Sequence, residues 1–272
     1  MIIFKPCYYL TLINYFYQMR NYLTVCTLLL FAACSGEQTT GSMTDGQENT
    51  SPATNHPEAL KNILDAHGGL DLWNSTGSLY FELARGDGNE KHYVQLADRR
   101  DRIEGTNFTM GFDGVDVWME ADTSYQGNPE FYHNLMFYFF AMPFVLADSG
   151  INYEQAPSFS FDGVTYNGLA VSFDDGVGSS PKDEYFIYFN PENNQMAWLG
   201  YTVTFFSGES SESVKWIRYH DWDEVNQLIL PATITWYQSE NGIPTISTEN
   251  QVDFTNVKLE KQTFPDSLFK GP

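Results

Sequence analysis

Residues 185–206, YFIYFNPENNQMAWLGYTVTFF, decide the fold class. Two runs rich in aromatic and β-branched residues, 185–189 and 197–206, flank a polar segment that begins with Asn190-Pro191, a pair typical of turns. The segment therefore predicts an antiparallel hairpin. In the first strand Tyr185, Ile187 and Phe189 share one face, and large apolar side chains also occupy the other. Such a sheet must be covered on both sides.

The same pattern recurs along most of the chain. Further strands are predicted at 79–83, 93–97, 115–119, 164–173, 214–222, 234–237 and 252–259. Short turn signals separate them, including Asp113-Gly114, Asp162-Gly163 and Asn241-Gly242. Strands joined in this way form an antiparallel meander. The sequence predicts a mainly β (α+β) domain, residues 57–272, built on a single curved antiparallel sheet or open half-barrel.

Two segments are predicted to be helical and to lie on the concave side of this sheet. Residues 57–69, PEALKNILDAHGG, begin with a proline suited to a first helical turn and end with two glycines that stop a helix. Residues 129–147, PEFYHNLMFYFFAMPFVLA, contain an apolar run without a polar face. A helix that is apolar all round needs cover on every side, and this run is too short to cross a bilayer.

The aromatic strands leave two interpretations open, a solid aromatic core and a hollow that takes a hydrophobic ligand. Alternation places Trp216, Arg218, His220 and Trp222 on one face of their strand. If a hollow exists, the side chains predicted to line it are Phe137, Phe140, Phe144, Trp118, Tyr188, Trp216 and Trp236.

The start of the chain carries a targeting signal. Residues 19–34, MRNYLTVCTLLLFAAC, place Arg20 before a short apolar run and small residues before Cys34. This order is typical of a lipoprotein signal, in which cleavage precedes a cysteine that carries acyl chains such as palmitate. We therefore predict that translation starts at Met19, that residues 1–33 are removed and that Cys34 is lipidated. An ordinary cleaved signal and a long uncleaved anchor are the alternatives.

The polar segment after Cys34 predicts a flexible tether over residues 34–56. Its r.m.s. reach is about 25 Å for a chain of this composition. The chain has 14 basic and 35 acidic residues, and removal of Lys5 and Arg20 with the signal leaves 12 − 35 = −23. This charge repels nucleic acid, so no nucleic-acid partner is expected.

The sequence offers little for catalysis or cofactors. Cleavage would leave Cys34 alone, so neither a disulfide nor a thiolate nucleophile is predicted in the mature domain. The histidines lack metal-ligand spacing, and only His220 has nearby carboxylates, in HDWDEV. No nucleophile elbow or phosphate-binding loop occurs. We expect a protein that is not an enzyme and has no cofactor or metal.

Three segments resemble a family of uncharacterised Bacteroidota lipoproteins. They are residues 66–83, AHGGLDLWNSTGSLYFEL, residues 112–119, FDGVDVWM, and residues 131–150, FYHNLMFYFFAMPFVLADSG. The order of lipobox, N-terminal helix and interrupted sheet is also similar to the LolA/LolB-type lipoprotein-carrier superfamily. That resemblance implies an open half-barrel closed by helices that hold acyl chains, and it carries over no individual ligand residue.

The predicted function is an outer-membrane lipoprotein, periplasmic or surface-facing, that binds or carries a lipid or other hydrophobic small molecule. The membrane is reached through the lipid on Cys34, and Ser35 beside it gives no aspartate-type signal for retention in the inner membrane. Two alternatives remain: a non-catalytic envelope lipoprotein that acts through protein partners, which the sequence does not identify, and a periplasmic hydrolase.

Overall fold

The computed structural model describes residues 56–86, 88–174, 180 and 182–272. The predicted signal peptide, Cys34 and nearly all of the predicted tether lie outside the described residues. The described part from residue 56 onward belongs to one compact unit that extends to Pro272.

The sheet contains twelve strands in the described part of the chain. They are β1 (Ser78–Leu83), β2 (Glu90–Gln95), β3 (Asp101–Glu104), β4 (Phe108–Phe112), β5 (Val117–Ala121), β6 (Ile151–Phe161), β7 (Val164–Phe173), β8 (Tyr185–Phe189), β9 (Met196–Tyr201), β10 (Lys215–Val225), β11 (Leu228–Glu240) and β12 (Ile243–Glu260).

Helical segments are short. They are α1 (Glu58–Ala66), α2 (Leu70–Asn74), α3 (Pro129–Tyr132), α4 (Leu135–Phe140) and two 3₁₀ turns, Phe144–Ala147 and Asp266–Leu268. None of the helices in the described residues is long and apolar enough to cross a membrane.

The strand order is β5-β4-β3-β2-β1-β12-β11-β10-β9-β8-β7-β6, and every neighbouring pair is antiparallel. The chain runs outward from β1 to the edge strand β5 and then passes to β6 at the opposite edge. From there it returns strand by strand to β12, which pairs with β1. The predicted mainly β fold with a single antiparallel sheet is confirmed.

The connection between the two edges explains where the apolar segment lies. Residues 122–150 join β5 to β6, so they must travel from one edge of the sheet to the other. Phe140 and Phe144 of this connection share one core with Leu60 of α1 and with strand residues such as Phe81. We call this the helix-covered face, and we call residues 129–147 the lid.

The lid is not one helix, contrary to the prediction of a single helix near residues 130–147. It consists of α3, α4 and a 3₁₀ turn. Asn134 precedes α4 and Pro143 precedes the 3₁₀ turn. Proline cannot continue the helical hydrogen bonding, so the backbone bends there and its apolar side chains reach several parts of the sheet.

The sequence did not predict three of the strands, namely β3, β4 and β6. β3 is only four residues long and reads DRIE, which has little β propensity. β6 contains Pro157, which argues against a strand in the interior of a sheet. β6 is an edge strand, and its register shifts between Ala156 and Phe159, so the proline is tolerated.

Candidate functional site

The lid begins at a defined cap. The side chain of Asn128 accepts a hydrogen bond from the Phe131 backbone N–H, and Pro129 occupies the first turn of α3. From Leu135 onward the lid is almost entirely apolar. Because it has no polar face, its exposure to solvent would be unfavourable. The helix-covered face of the sheet provides the apolar cover that this segment requires.

Aromatic rings fill the contact between lid and sheet. Phe140 lies 4.7 Å from Phe81 and 5.0 Å from Phe254, measured between ring centroids. Phe144 stacks on Trp73 of α2 at 4.7 Å. Phe137, Phe140 and Phe144 are at most 2 % exposed. The space between lid and sheet is therefore occupied by side chains of the protein itself.

Tyrosine hydroxyls from the sheet hold the lid backbone. Tyr219 of β10 donates to the Phe139 carbonyl at 2.8 Å, and Tyr153 of β6 donates to the Leu146 carbonyl at 2.6 Å. Burial raises the pKa of Tyr219 well above its ordinary value and that of Tyr153 to about 12. Both hydroxyls therefore keep their protons, which they need as donors, at physiological pH.

A salt bridge also joins the C-terminal end of the lid to the loop after β2. Arg99 donates two hydrogen bonds to the Asp148 carboxylate at 2.9 and 2.8 Å. Asp148 is about half exposed, so solvent weakens this pair. The Arg99 guanidinium also lies 5.3 Å from the Phe137 ring centroid.

The N-terminal end of the lid contacts buried charges on β2 and β3. Tyr132 donates to the Glu90 carboxylate at 2.7 Å, and His133 Nδ1 lies 2.6 Å from Asp101 Oδ2. His92 Nε2 lies 2.7 Å from Glu90. Burial alone would raise the pKa of Glu90, but hydrogen bonds and nearby positive charge outweigh it and lower that pKa to about 2. Burial raises the pKa of Asp101, with His133 acting in the opposite direction.

The opposite face of the sheet carries a second aromatic cluster. Phe159 of β6 folds over Tyr188, Trp198 and Trp216, with ring centroids 4.6, 5.8 and 5.4 Å away. We call this group, with its flanking residues on β6 to β11, the outer cluster. It explains why the aromatic strands have apolar side chains on both faces.

The structure does not bring the seven predicted lining residues together. Phe137, Phe140 and Phe144 belong to the lid, and Trp236 contacts Phe139 from the helix-covered face at 5.8 Å. Tyr188 and Trp216 lie in the outer cluster. Trp118 is on β5, where its Nε1 donates to the Phe269 carbonyl at 2.8 Å. These residues occupy three separate places, and contact of any of them with a ligand stays a prediction.

One face assignment on β10 is wrong. Trp216 and Trp222 were predicted on the same face, but Trp216 is in the outer cluster and Trp222 packs on the helix-covered face. The pairing of β10 with β11 shifts between Tyr219 and Asp221. The extra residue on β10 interrupts the alternation of side chains, so Trp222 lies on the face opposite Trp216; a second shift follows between Asp221 and Trp222.

Two shallow depressions lie away from the lid. One, of about 320 Å³, is formed by Gln155, Ala156, Pro157, Ser158, Asn167 and Gly168. The other, of about 290 Å³, is formed by Ser78, Tyr80, Tyr93, Lys258, Glu260 and Phe264. In the described ranges no three histidine, cysteine or acidic side chains are arranged to hold a metal ion.

The buried charges on β2 and β3 were not recognised from the sequence. Glu90 and His92 are two residues apart and so share one face of a strand, which is the signal that was available. Nothing local links Asp101 to His133, because 32 residues separate them along the chain.

Comparison with known proteins adds a partial family match. Residues 124–239, which include the lid and β6 to β10, match the model of a family of unknown function, DUF6503. Among curated proteins, none matches the sequence. The match agrees with the predicted resemblance to an uncharacterised family, and the predicted Bacteroidota origin and lipoprotein status stay predictions.

Solved structures with some likeness share little sequence. A DUF1329 family protein from Desulfovibrio piger is 11 % identical, with 79 % of this chain and 98 % of that chain covered and a TM-score of 0.47. A LolA superfamily protein from Nitrosomonas europaea is 12 % identical, with 71 % of this chain and 88 % of that chain covered and a TM-score of 0.36. A putative outer membrane lipoprotein-sorting protein domain from Vibrio parahaemolyticus is 8 % identical, with 75 % of this chain and 97 % of that chain covered and a TM-score of 0.35. All three TM-scores are low, and the fold assignment rests on the strand order of the chain itself.

Proposed function

We propose that the protein is a lipid-anchored lipoprotein of the outer membrane that binds or carries a hydrophobic, acyl-chain-like ligand between the lid and the helix-covered face, without catalysis. The observation that carries the proposal is the lid itself. An apolar crossover built from short turns covers an aromatic sheet face and contributes no strand to the sheet. Its displacement would leave every strand pair intact.

Ligand binding on this proposal requires the lid to move. In the closed state the rings of Phe137, Phe140 and Phe144 occupy the apolar space. An acyl chain would occupy the space that these rings fill in the closed state, and its apolar contacts would replace theirs. The ligand can therefore bind only when the lid moves away from the sheet. The apparent affinity is then the intrinsic affinity multiplied by the fraction of time the lid is open.

The test compares the closed lid with a weakened one. In a Cys34→Ala protein, we expect saturable binding of a fluorescent fatty-acid probe. Tyr219→Phe leaves the Phe139 carbonyl buried without its donor, which costs about 1–3 kcal/mol in the closed state. Probe association should therefore become at least several-fold faster. The matched control is Tyr166→Phe in the outer cluster, which should bind the probe like the parent.

A second measurement identifies a natural ligand. Denaturing the purified Cys34→Ala protein should release acyl-containing molecules that mass spectrometry detects. If the parent and the Tyr219→Phe protein both lack saturable probe binding and release no such molecules, the carrier proposal is wrong. An envelope lipoprotein acting through protein partners would then replace it.

A further inference from the structure

A group of six polar side chains lies where the lid begins. We call it the latch cluster. Its members are Arg85, Glu90, His92, Asp101, Tyr132 and His133. Tyr132 and His133 belong to the lid, and the other four belong to the sheet or to the loop after β1. Glu90, His92, Asp101 and His133 are each at most 8 % exposed.

The Glu90 carboxylate has several polar partners. It is hydrogen bonded to His92 and accepts from Tyr132, both at 2.7 Å, and Arg85 lies 3.5 Å from its second oxygen. Arg85 also donates to the Tyr132 hydroxyl at 2.9 Å. If one of these partners is removed, Glu90 still has the others.

Asp101 depends far more on the lid. Its Oδ2 is 2.6 Å from His133 Nδ1, whereas its Oδ1 is buried with no hydrogen-bond partner among the described residues. The nearby His92 and the backbone of Phe112 also favour the charged form, but His133 contributes most. Asp101 pairs with Phe112 of β4 and is 2 % exposed, so its carboxylate has almost no contact with solvent while the lid is closed. A buried carboxylate that loses its partner is strongly destabilised.

We propose that Asp101 and His133 are positioning residues that latch the N-terminal end of the lid to β3. With His133 in place, the closed lid pairs the Asp101 carboxylate; without it, closing the lid buries an unpaired charge. The lid then opens because opening returns water to Asp101. This inference deepens the proposed function and rests on it, since lid opening is the step that admits the ligand.

The contacts at the two ends of the lid differ in strength. The Asp101–His133 pair at the N-terminal end is buried, whereas the Arg99–Asp148 pair at the C-terminal end is partly exposed. Exposed pairs contribute little, and buried pairs are costly to break on one side only. Removing one partner of the Asp101–His133 pair should therefore affect the lid more than removing one partner of the Arg99–Asp148 pair.

Hydrogen exchange of the lid amides tests the latch without any ligand. In the Cys34→Ala background, His133→Leu leaves Asp101 unpaired, and exchange of residues 135–146 should become at least tenfold faster. Exchange of β8 should stay at the parent rate, because the lid opens without unfolding the sheet. The double variant D101V/H133L removes both polar partners, and its lid exchange should return to the parent rate or below.

The milder His133→Asn variant covers the case in which His133→Leu fails to fold. Its amide can still donate to Asp101, so the lid should exchange faster than in the parent and slower than in His133→Leu. The latch is wrong if lid exchange is unchanged in the single variants, if the double variant exchanges as fast as His133→Leu, or if β8 accelerates together with the lid. Failure of probe binding with an intact exchange response would instead overturn the carrier proposal alone.

Discussion

His67 connects three elements by using both ring nitrogens. It caps the C-terminus of α1, its Nδ1 is 3.0 Å from the Ile229 carbonyl of β11, and its Nε2 accepts from the Met196 backbone N–H of β9 at 3.1 Å. A ring that donates at Nδ1 and accepts at Nε2 is neutral. Burial accordingly lowers the pKa of His67 to about 4.

This pKa predicts that His67 destabilises the fold in mild acid. The unfolded chain binds the proton near the ordinary value of 6.5, and the folded chain binds it near 4, so stability falls as pH drops from about 6.5 to about 4. The loss amounts to about 3 kcal/mol at about 1.4 kcal/mol for each pH unit. Urea unfolding at pH 7 and pH 4.5 measures it, with His67→Gln as the control.

In His67→Gln no proton is taken up at this position, so the decline in unfolding free energy between the two pH values should be smaller than in the parent. Equal declines would show that other groups account for the acid sensitivity. The histidine ring signal in an NMR titration of the parent should have its midpoint near the lowered pKa of about 4.

Gly68 and Gly69 form a natural pair for separating backbone strain from close packing. Both have positive φ, 102° and 91°, where other residues are strained. A Cβ on Gly68 would lie 2.3 Å from the Gln227 carbonyl oxygen, whereas nothing lies within 4 Å of one on Gly69. Gly69→Ala should therefore cost about 1–2 kcal/mol of unfolding free energy, and Gly68→Ala about 1–3 kcal/mol more.

Chemical denaturation of the two variants checks this difference directly. Equal losses would mean that α1 and the β10–β11 turn separate at no cost, and the close approach of these two elements would then contribute nothing to stability.

At the scale of single elements, the proposed function depends on how firmly the lid packs against the sheet. Its rings contact other rings closely, as Phe140 does with Phe81 and Phe254, so at rest it is part of the core. Phe140→Ala should therefore cost about 3–5 kcal/mol of unfolding free energy. The control is Phe206→Ala. This residue is 49 % exposed and its ring contacts those of Phe131 and Phe205, which are themselves partly exposed, so its loss should change stability by about 1 kcal/mol or less.

Denaturant melts of the two variants distinguish a packed lid from a cavity lining. A Phe140→Ala loss close to that of Phe206→Ala would mean that Phe140 faces a space and not the core. The lid would then be open more often than its contacts indicate.

The β6–β7 hairpin is the element that completes the outer cluster. Its tip residue Asp162 lies 3.4 Å from Arg218, and that guanidinium lies 5.2 Å from the Phe161 and Trp198 ring centroids. The hairpin thus shields aromatic rings that a flat edge strand would leave exposed. An edge that folds over its own sheet is also a poor template for pairing with another chain.

At the scale of the whole molecule, the proposed lipid anchor on Cys34 would set where the protein works. Cys34→Ala should release the protein into the soluble periplasmic fraction, because no acyl chain is then attached. Cys26→Ala is the matched control, since Cys26 lies in the segment that the proposal removes, and that protein should remain with membranes.

The fractionation is done with a high-salt wash, which strips proteins held by charge alone. Sedimentation of the Cys34→Ala protein with membranes after that wash would overturn the lipid anchor. With 35 acidic against 14 basic residues, electrostatic adsorption to an anionic surface is not expected to replace it.

Local sequence determined the strands with clear alternation and the first helix. Tyr185–Phe189 was predicted with its observed bounds and faces, and Glu58–Ala66 follows the predicted proline start and glycine stop. Periodicity and turn residues act between neighbours along the chain, so they are readable without a structure. The need for cover on both faces of the sheet followed from the same pattern.

Tertiary structure decided what depends on distant contacts. It alone placed β5 and β6 at opposite edges, which makes the lid a crossover, and it alone inverted Trp222 through the shift after Tyr219. It also brought Asp101 to His133 across 32 residues. Folding removes water from Asp101, and an unpaired buried charge is unfavourable. The requirement for a partner therefore arises only in the folded protein.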